Sequence, residues 1–378
     1  MPDAPLEKQR TPFHPLCYSG TAMQPQVLLM AKLALVIIVS DGVFLNLDAS
    51  FAPLADTFEN TGATPELGWA LKAAFIAAAA ALLVNRLVRS AAMLLGILTL
   101  YTQAVSAPAY AAHLVVCGTL LILGALQPRS EQPWLVRALV SVALLVAAIA
   151  KARSMPWLLG TTIESWIATG VAHPALAWLR NEAGMAWISE AVAWIMLVCE
   201  TALAICILIP NTRRGAGFGL AAYLLVAGFT LASPQMQAFS ISLGLASLAF
   251  LEWPRGAIAV LWPRACGFPL WVRIGLDRYD FDGRLDWPLP PDPDAILEVD
   301  LDTRHFEDAR ALAAALMHFP AFLIAAFAII WAAHLLLPPS AAAVANVVVI
   351  VPLMILFALR RLRHARHRLQ TRLAASRN

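Results

Sequence analysis

The sequence predicts an all-α polytopic membrane protein of about ten transmembrane helices, with a small α/β insert on the cytoplasmic side. Three observations predict it. The 378 residues are 60% hydrophobic and only 13% charged, with a mean hydropathy of +0.70, whereas a soluble chain carries roughly one charged residue in four. Apolar runs recur at the ~20 residues that a helix needs to cross ~30 Å of hydrocarbon. Basic residues fall at alternate connections between those runs, as they do in polytopic chains.

Residues 1–26 are polar and read as a cytoplasmic tail. The first apolar run lacks a small-residue cleavage site, so it reads as a signal anchor. The candidate spans are about 27–47, 66–85, 90–107, 109–127, 134–152, 186–209, 215–233, 236–251, 312–337 and 340–359. Backbone groups in lipid must be satisfied within their own segment, which makes these runs helices. With the N-terminus in the cytoplasm, the inner connections hold Arg86 and Arg89, then Arg129 and Arg137, then Arg213 and Arg214. The first outer connection holds Asp48, Asp56, Glu59 and Glu66 and no basic residue. The tail 360–378 carries seven arginines and no acid. It reads as a topology determinant rather than a nucleic-acid-binding segment, which places the C-terminus in the cytoplasm as well.

Two segments are not spans. Residues 153–185 lie on the outer side and include Trp157, Trp166 and Trp178, which points to a segment lying along the interface. Residues 256–311 are polar and too long for a loop. Within them 256–262 and 295–301 have strand character, and 267–279 and 306–319 have helical spacing. A terminal hairpin, 312–359, follows the insert. The five cysteines show no paired metal spacing and read as buried or free thiols; no metal site is expected.

Charges within spans are the candidate functional residues, because lipid makes each of them costly. Asp41 and Lys72 both fall about 9 Å below the outer boundary at 1.5 Å per residue, where neighbouring helices would let them pair. That pair either fixes packing or supports a site. His113 begins the fourth span and Lys151 ends the fifth, on the same side. Lys151 is either a snorkelling anchor or a base whose neutral amine is favoured by desolvation. Glu190 opens the sixth span. Glu200, near its middle, is expected to be paired or protonated. Asp41, Lys72, His113, Lys151 and Glu190 come from five spans, yet topology gathers them in the outer leaflet. The outer cleft is therefore the candidate site.

Four stretches resemble the HTTM superfamily of bacterial membrane proteins, whose eukaryotic relative is the vitamin K-dependent gamma-carboxylase. They are YAAHLVVCGTLLIL (110–123), AAIAKARSMPWLLG (147–160), CETALAICILIPNTRRGAG (199–217) and QAFSISLGLASLAFLEWPR (237–255), so the resemblance covers about 27–255. Lys151, Trp157 and Gly160 fall in register with the family's lysine turn, and His113 with its Tyr-x-x-His start. The resemblance implies that Lys151 is the base that deprotonates a hydroquinone, with His113 as its helper, in a bacterial-type inner membrane. A quinone-like reductant is the cofactor so implied. The chain departs from the family in lacking the glycine before the lysine, a later histidine and the large lumenal domain. CGFPLWVRIGLDRYDFDGRLDW (266–287) and ILEVDLDTRHFEDARAL (296–312) resemble the DCC family of thiol-disulfide-oxidoreductase-like domains, which implies a thioredoxin-like insert. Pro269 stands where that family has its second cysteine, so disulfide exchange is not expected.

The function expected from these readings is base chemistry by Lys151 on a lipid-soluble reductant, modifying an exported peptide or a small lipid-soluble substrate. His113 would orient or pass a proton, Asp41, Lys72, Trp157 and Glu200 would support the site, and Glu164 and Glu190 would be the nearest acids. The alternative is a non-catalytic membrane factor for the maturation, export or immunity of a secreted peptide. A transporter is disfavoured by the absence of repeated broken helices.

Overall fold

The computed structural model describes residues 15–18, 21–43, 65–105, 110–129, 133–230, 233–250, 258–262, 270–278, 283–288, 297–301, 304–317 and 320–338, with a few single positions such as Asp280. Apart from Ala341, the expected span 340–359, the arginine tail, the acidic residues Asp48, Asp56 and Glu59, and the pair Cys266 and Pro269 lie outside the described residues.

The described chain is mostly helical. Its first helices are α1 (Pro25–Ser40), α2 (Pro65–Leu83), α3 (Val88–Val105), α4 (Ala112–Leu126) and α5 (Trp134–Ala152). Three short helices follow, α6 (Met155–Leu158), α7 (Thr161–Ala168) and α8 (Pro174–Asn181). Next come α9 (Ile188–Leu208), α10 (Arg213–Thr230) and α11 (Pro234–Gly244), the last continuing as a 3-10 segment, Leu245–Phe250. Among the described residues, four helices are by length and composition able to cross a membrane: α2, α3, α5 and α9. The helices α1, α4 and residues Gly215–Gly228 of α10 are apolar but shorter.

Burial explains how these helices assemble. In α1 twelve of sixteen residues are buried, as expected of a helix that is apolar on every face and lies at the centre of a bundle. By contrast, α5 exposes Val142, Leu145, Val146 and Ile149 and buries Arg137 and Ser141. In α9, Ile195, Val198, Ile205 and Leu208 are exposed while Glu200 is buried. Apolar side chains facing out and polar ones facing in is the arrangement that hydrocarbon favours as solvent.

Helices α1 and α4 run antiparallel, as do α5 and α9. Asp41 meets His113 at one end of the α1–α4 pair, and Gly124 meets Val27 at the other. Ser141 bonds the Ala204 carbonyl at 2.8 Å, and Trp157, beyond the end of α5, bonds that of Ala193 at 3.1 Å. Helices α3 and α4 touch through glycines: a Cβ on Gly96 would lie 2.7 Å from the Gly118 carbonyl oxygen. Small residues here let two backbones approach closely.

The insert forms a four-stranded sheet of order β2-β1-β3-β4, from β1 (Ile258–Leu261), β2 (Leu285–Asp286), β3 (Glu298–Leu301) and β4 (Arg304–Glu307). The β1–β2 pair is parallel and spans helix α12 (Leu270–Arg278); the other two pairs are antiparallel. Asp280 accepts from the backbone N–H groups of Arg284 and Leu285 at 3.0 and 2.8 Å and so sets the entry to β2. On the β3–β4 hairpin His305 pairs with Asp300 at 2.7 Å, and this hydrogen bond raises its pKa above the ordinary histidine value.

One expected element divides. The run 312–337 contributes to two helices, α13 (Asp308–Met317) and α14 (Pro320–Leu336). Ala311, Ala314 and Ala315 of α13 belong to the apolar core of the sheet, whereas Phe327 and Trp331 of α14 join the core of the bundle. Pro320 opens α14 at the first helical position, where its missing N–H costs nothing.

Candidate functional site

Two buried polar clusters stand out. The first joins α5, α9 and α10. Lys151 of α5 forms an ion pair and hydrogen bond with Oε1 of Glu200 on α9. Tyr223 of α10 donates its hydroxyl to the same oxygen at 2.6 Å. The ammonium also lies 5.0 Å from the centre of the Trp157 ring, near enough for a cation–π contact. Glu200 is only 5% exposed, and its second oxygen, Oε2, has no hydrogen-bond partner among the described residues. A buried carboxylate oxygen left without a donor is a place where a ligand donor gains the full value of a hydrogen bond.

Local sequence explains how Lys151 comes to be there. Helix α5 ends at Ala152, and Pro156 restarts the chain in the short helix α6. Gly160 then takes φ +72°, a left-handed turn that folds α7 back over the start of α9. A Cβ at Gly160 would lie 2.6 Å from the backbone nitrogen of Glu190, so the close approach admits glycine alone. This turn lays the Trp157 indole between Lys151 and the Ala193 carbonyl, with Trp166 packed edge-on at 5.5 Å.

The second cluster joins α1, α4, α11 and α14. Asp41, the residue capping α1, has its carboxylate 3.5 Å from Nε2 of His113 on α4. His113 is 7% exposed, and that nitrogen has no hydrogen-bond partner among the described residues. His334 of α14 lies within electrostatic reach of both, with Nδ1 3.4 Å from Oε1 of Gln237 on α11. Trp331 fixes α14 at this point by donating to the Ser40 hydroxyl at 2.9 Å.

The sequence-predicted residues therefore divide. Lys151, Trp157 and Glu200 come together, and His113 and Asp41 come together, but no hydrogen bond or ion pair among the described residues joins Lys151 to His113. Asp41 faces His113 rather than Lys72, because the end of α1 packs beside the start of α4. Lys72 instead lies over the Trp69 ring at 5.5 Å. Glu164 pairs with Arg180 at 3.1 Å in the α7–α8 segment. The Glu190 side chain is exposed, and its contribution to the site is the backbone that Gly160 meets.

Sequence reasoning missed Tyr223, His334 and Lys32. Lys32 is buried inside α1, where its ammonium bonds the Pro15 carbonyl and Asn85 Oδ1 and lies 4.8 Å from the Tyr18 ring. A charge within the apolar run 27–47 was a signal, and it marks the end of the bundle opposite Asp41. Tyr223 and His334 gave no such signal, because tyrosine carries no formal charge and His334 sits three residues from the end of its run.

No family model matches the chain, and neither a curated protein nor a solved structure matches it.

Proposed function

We propose that the chain is an integral membrane enzyme that uses Lys151 as a base toward a phenolic, lipid-soluble reductant of the hydroquinone type. The observation that carries this reading is the buried Lys151–Glu200–Tyr223 cluster with its one unpartnered carboxylate oxygen. When the shared proton rests on Glu200, the Lys151 amine is neutral and able to take the proton of a phenol. The products are an ammonium and a phenolate, with Glu200 still protonated and Tyr223 holding its oxygen. Trp157 supplies an aromatic face for the cation so formed. The resemblance to HTTM proteins agrees with this assignment at Lys151, Trp157 and Gly160. The substrate would be an exported peptide or a small lipid-soluble molecule.

The wider architecture belongs to the same proposal. About ten spans with both termini in the cytoplasm accommodate the shorter apolar helices together with the expected run 340–359. The insert would be thioredoxin-like, a reading supported by its 2-1-3-4 strand order and its parallel β1–α12–β2 unit.

One observation favours a second reading, a non-catalytic membrane factor. The same three side chains tie α5, α9 and α10 together, and that is all a packing lock requires. The test compares quinone content after detergent extraction, and the masses of exported peptides, between the wild type and Lys151→Met/Glu200→Leu. The double variant removes base and partner without leaving a lone buried charge. Loss of a bound quinone together with a changed peptide mass supports the enzyme. An unchanged profile in both measurements leaves the packing lock.

A further inference from the structure

The second cluster has no part in the base chemistry above. We propose that Asp41, His113 and His334 form a separate proton-binding site, in which the ligand is the proton and the element that responds is helix α14.

The geometry requires three groups. His113 Nε2 is buried, lacks a hydrogen-bond partner among the described residues, and points toward the half-exposed carboxylate of Asp41 at 3.5 Å. That separation is too long for a good hydrogen bond but short enough for strong attraction once the ring is charged. The first proton therefore has a place to go: Nε2–H⁺ faces a carboxylate, and the pair is neutral. His334 lies within electrostatic reach of the same imidazole and the same carboxylate. It belongs to α14, which meets the bundle here through Trp331, donating to Ser40, and through the approach of His334 to Gln237.

A second proton has no such place. The titratable groups facing the two imidazoles among the described residues are Asp41 from α1 and Cys117, one turn further along α4; from α11 comes the neutral Gln237. One carboxylate neutralises one imidazolium. With both rings charged the site carries a net positive charge, and His113 and His334 repel each other. Beyond these contacts α14 is held by Phe327 and Trp331, buried in the core of the bundle, and by Leu323, Ile324 and Ile330 packed against it; it is the element that carries His334 and so the one this repulsion acts to displace. Two protons taken up thus loosen α14 from the core, and because α13 and α14 are neighbours, the movement reaches the insert. Charged groups at membrane depth commonly mark such proton-coupled elements.

Histidine is the side chain whose ordinary titration spans about pH 5 to 8, which fixes the test. The full chain in lipid nanodiscs is followed by hydrogen exchange of residues 320–336 from about pH 8 to about pH 5, after correction for the intrinsic exchange rate. The expected result is a rise of roughly tenfold in the exchange of α14 at the acidic end, with α3 unchanged. His334→Gln keeps a polar side chain beside Gln237 and is expected to abolish the rise while α14 stays protected; His113→Gln is expected to do the same. Protection of α14 that does not change with pH in the wild type overturns the proposal, as does a His334→Gln variant that loosens like the wild type. Quinone content of Lys151→Met/Glu200→Leu is unaffected by either outcome, so this site and the Lys151 site stand or fall separately.

Discussion

At the scale of single residues, the governing fact is that lipid leaves a charge no solvent but its neighbours. Lys151, Lys32 and Arg137 each reach an oxygen inside the bundle; the guanidinium of Arg137 bonds the Ala249 carbonyl at 2.8 Å. Breaking such a pair costs more than never having made it, because the survivor is a buried lone charge. Replacing Lys151 by Met is therefore expected to lower stability by about 3–5 kcal/mol, since Glu200 is left with only Tyr223. The double variant Lys151→Met/Glu200→Leu is expected to recover most of that loss. Thermal unfolding in a fixed detergent measures both; a single variant as stable as the wild type would show that Glu200 is not charged in the folded protein.

At the scale of elements, the α6–α7 turn rests on one backbone position. Gly160 and Gly170 have nearly the same positive φ, 72° and 70°, but only Gly160 is pressed against a neighbour. Alanine at Gly170 pays the cost of the left-handed conformation alone, about 1 kcal/mol. At Gly160 it also meets the backbone of Ser189 and Glu190, and the loss is expected to reach about 2–4 kcal/mol, with peptides 155–168 losing exchange protection. Equal losses for the two variants would mean that the turn does not depend on its contact with α9. Such contacts lie beyond what the sequence reveals. The turn after Lys151 entered the sequence reading through the resemblance alone; the helical spacing of 306–319 anticipated α13, but the span drawn over 312–337 ran across its end. Hydropathy runs unbroken through that stretch, and it is the sheet that claims Ala311, Ala314 and Ala315.

At the scale of the whole molecule, the proposed orientation rests on the alternation of arginine-bearing connections. Single cysteines in a background free of the native five test it. A cysteine at Met155, which is 62% exposed beyond α5, is expected to react with an impermeant maleimide from the outer face; one at Leu126, at the arginine-bearing end of α4, is expected to react only from the cytoplasmic face. Reaction of both from one side would reverse this reading. The sequence by itself determined that the described chain is mostly helical, that it contains helices long and apolar enough to cross a bilayer, and that its costly charges are few and worth locating. Composition and period decide those matters because lipid penalises every unsatisfied polar group in the same way, whatever the fold. Which charge meets which was decided by tertiary structure alone. Lys151 met Glu200 and Tyr223, and Asp41 met His113 instead of Lys72, because pairing depends on helix rotation and neighbour order, and hydropathy records neither.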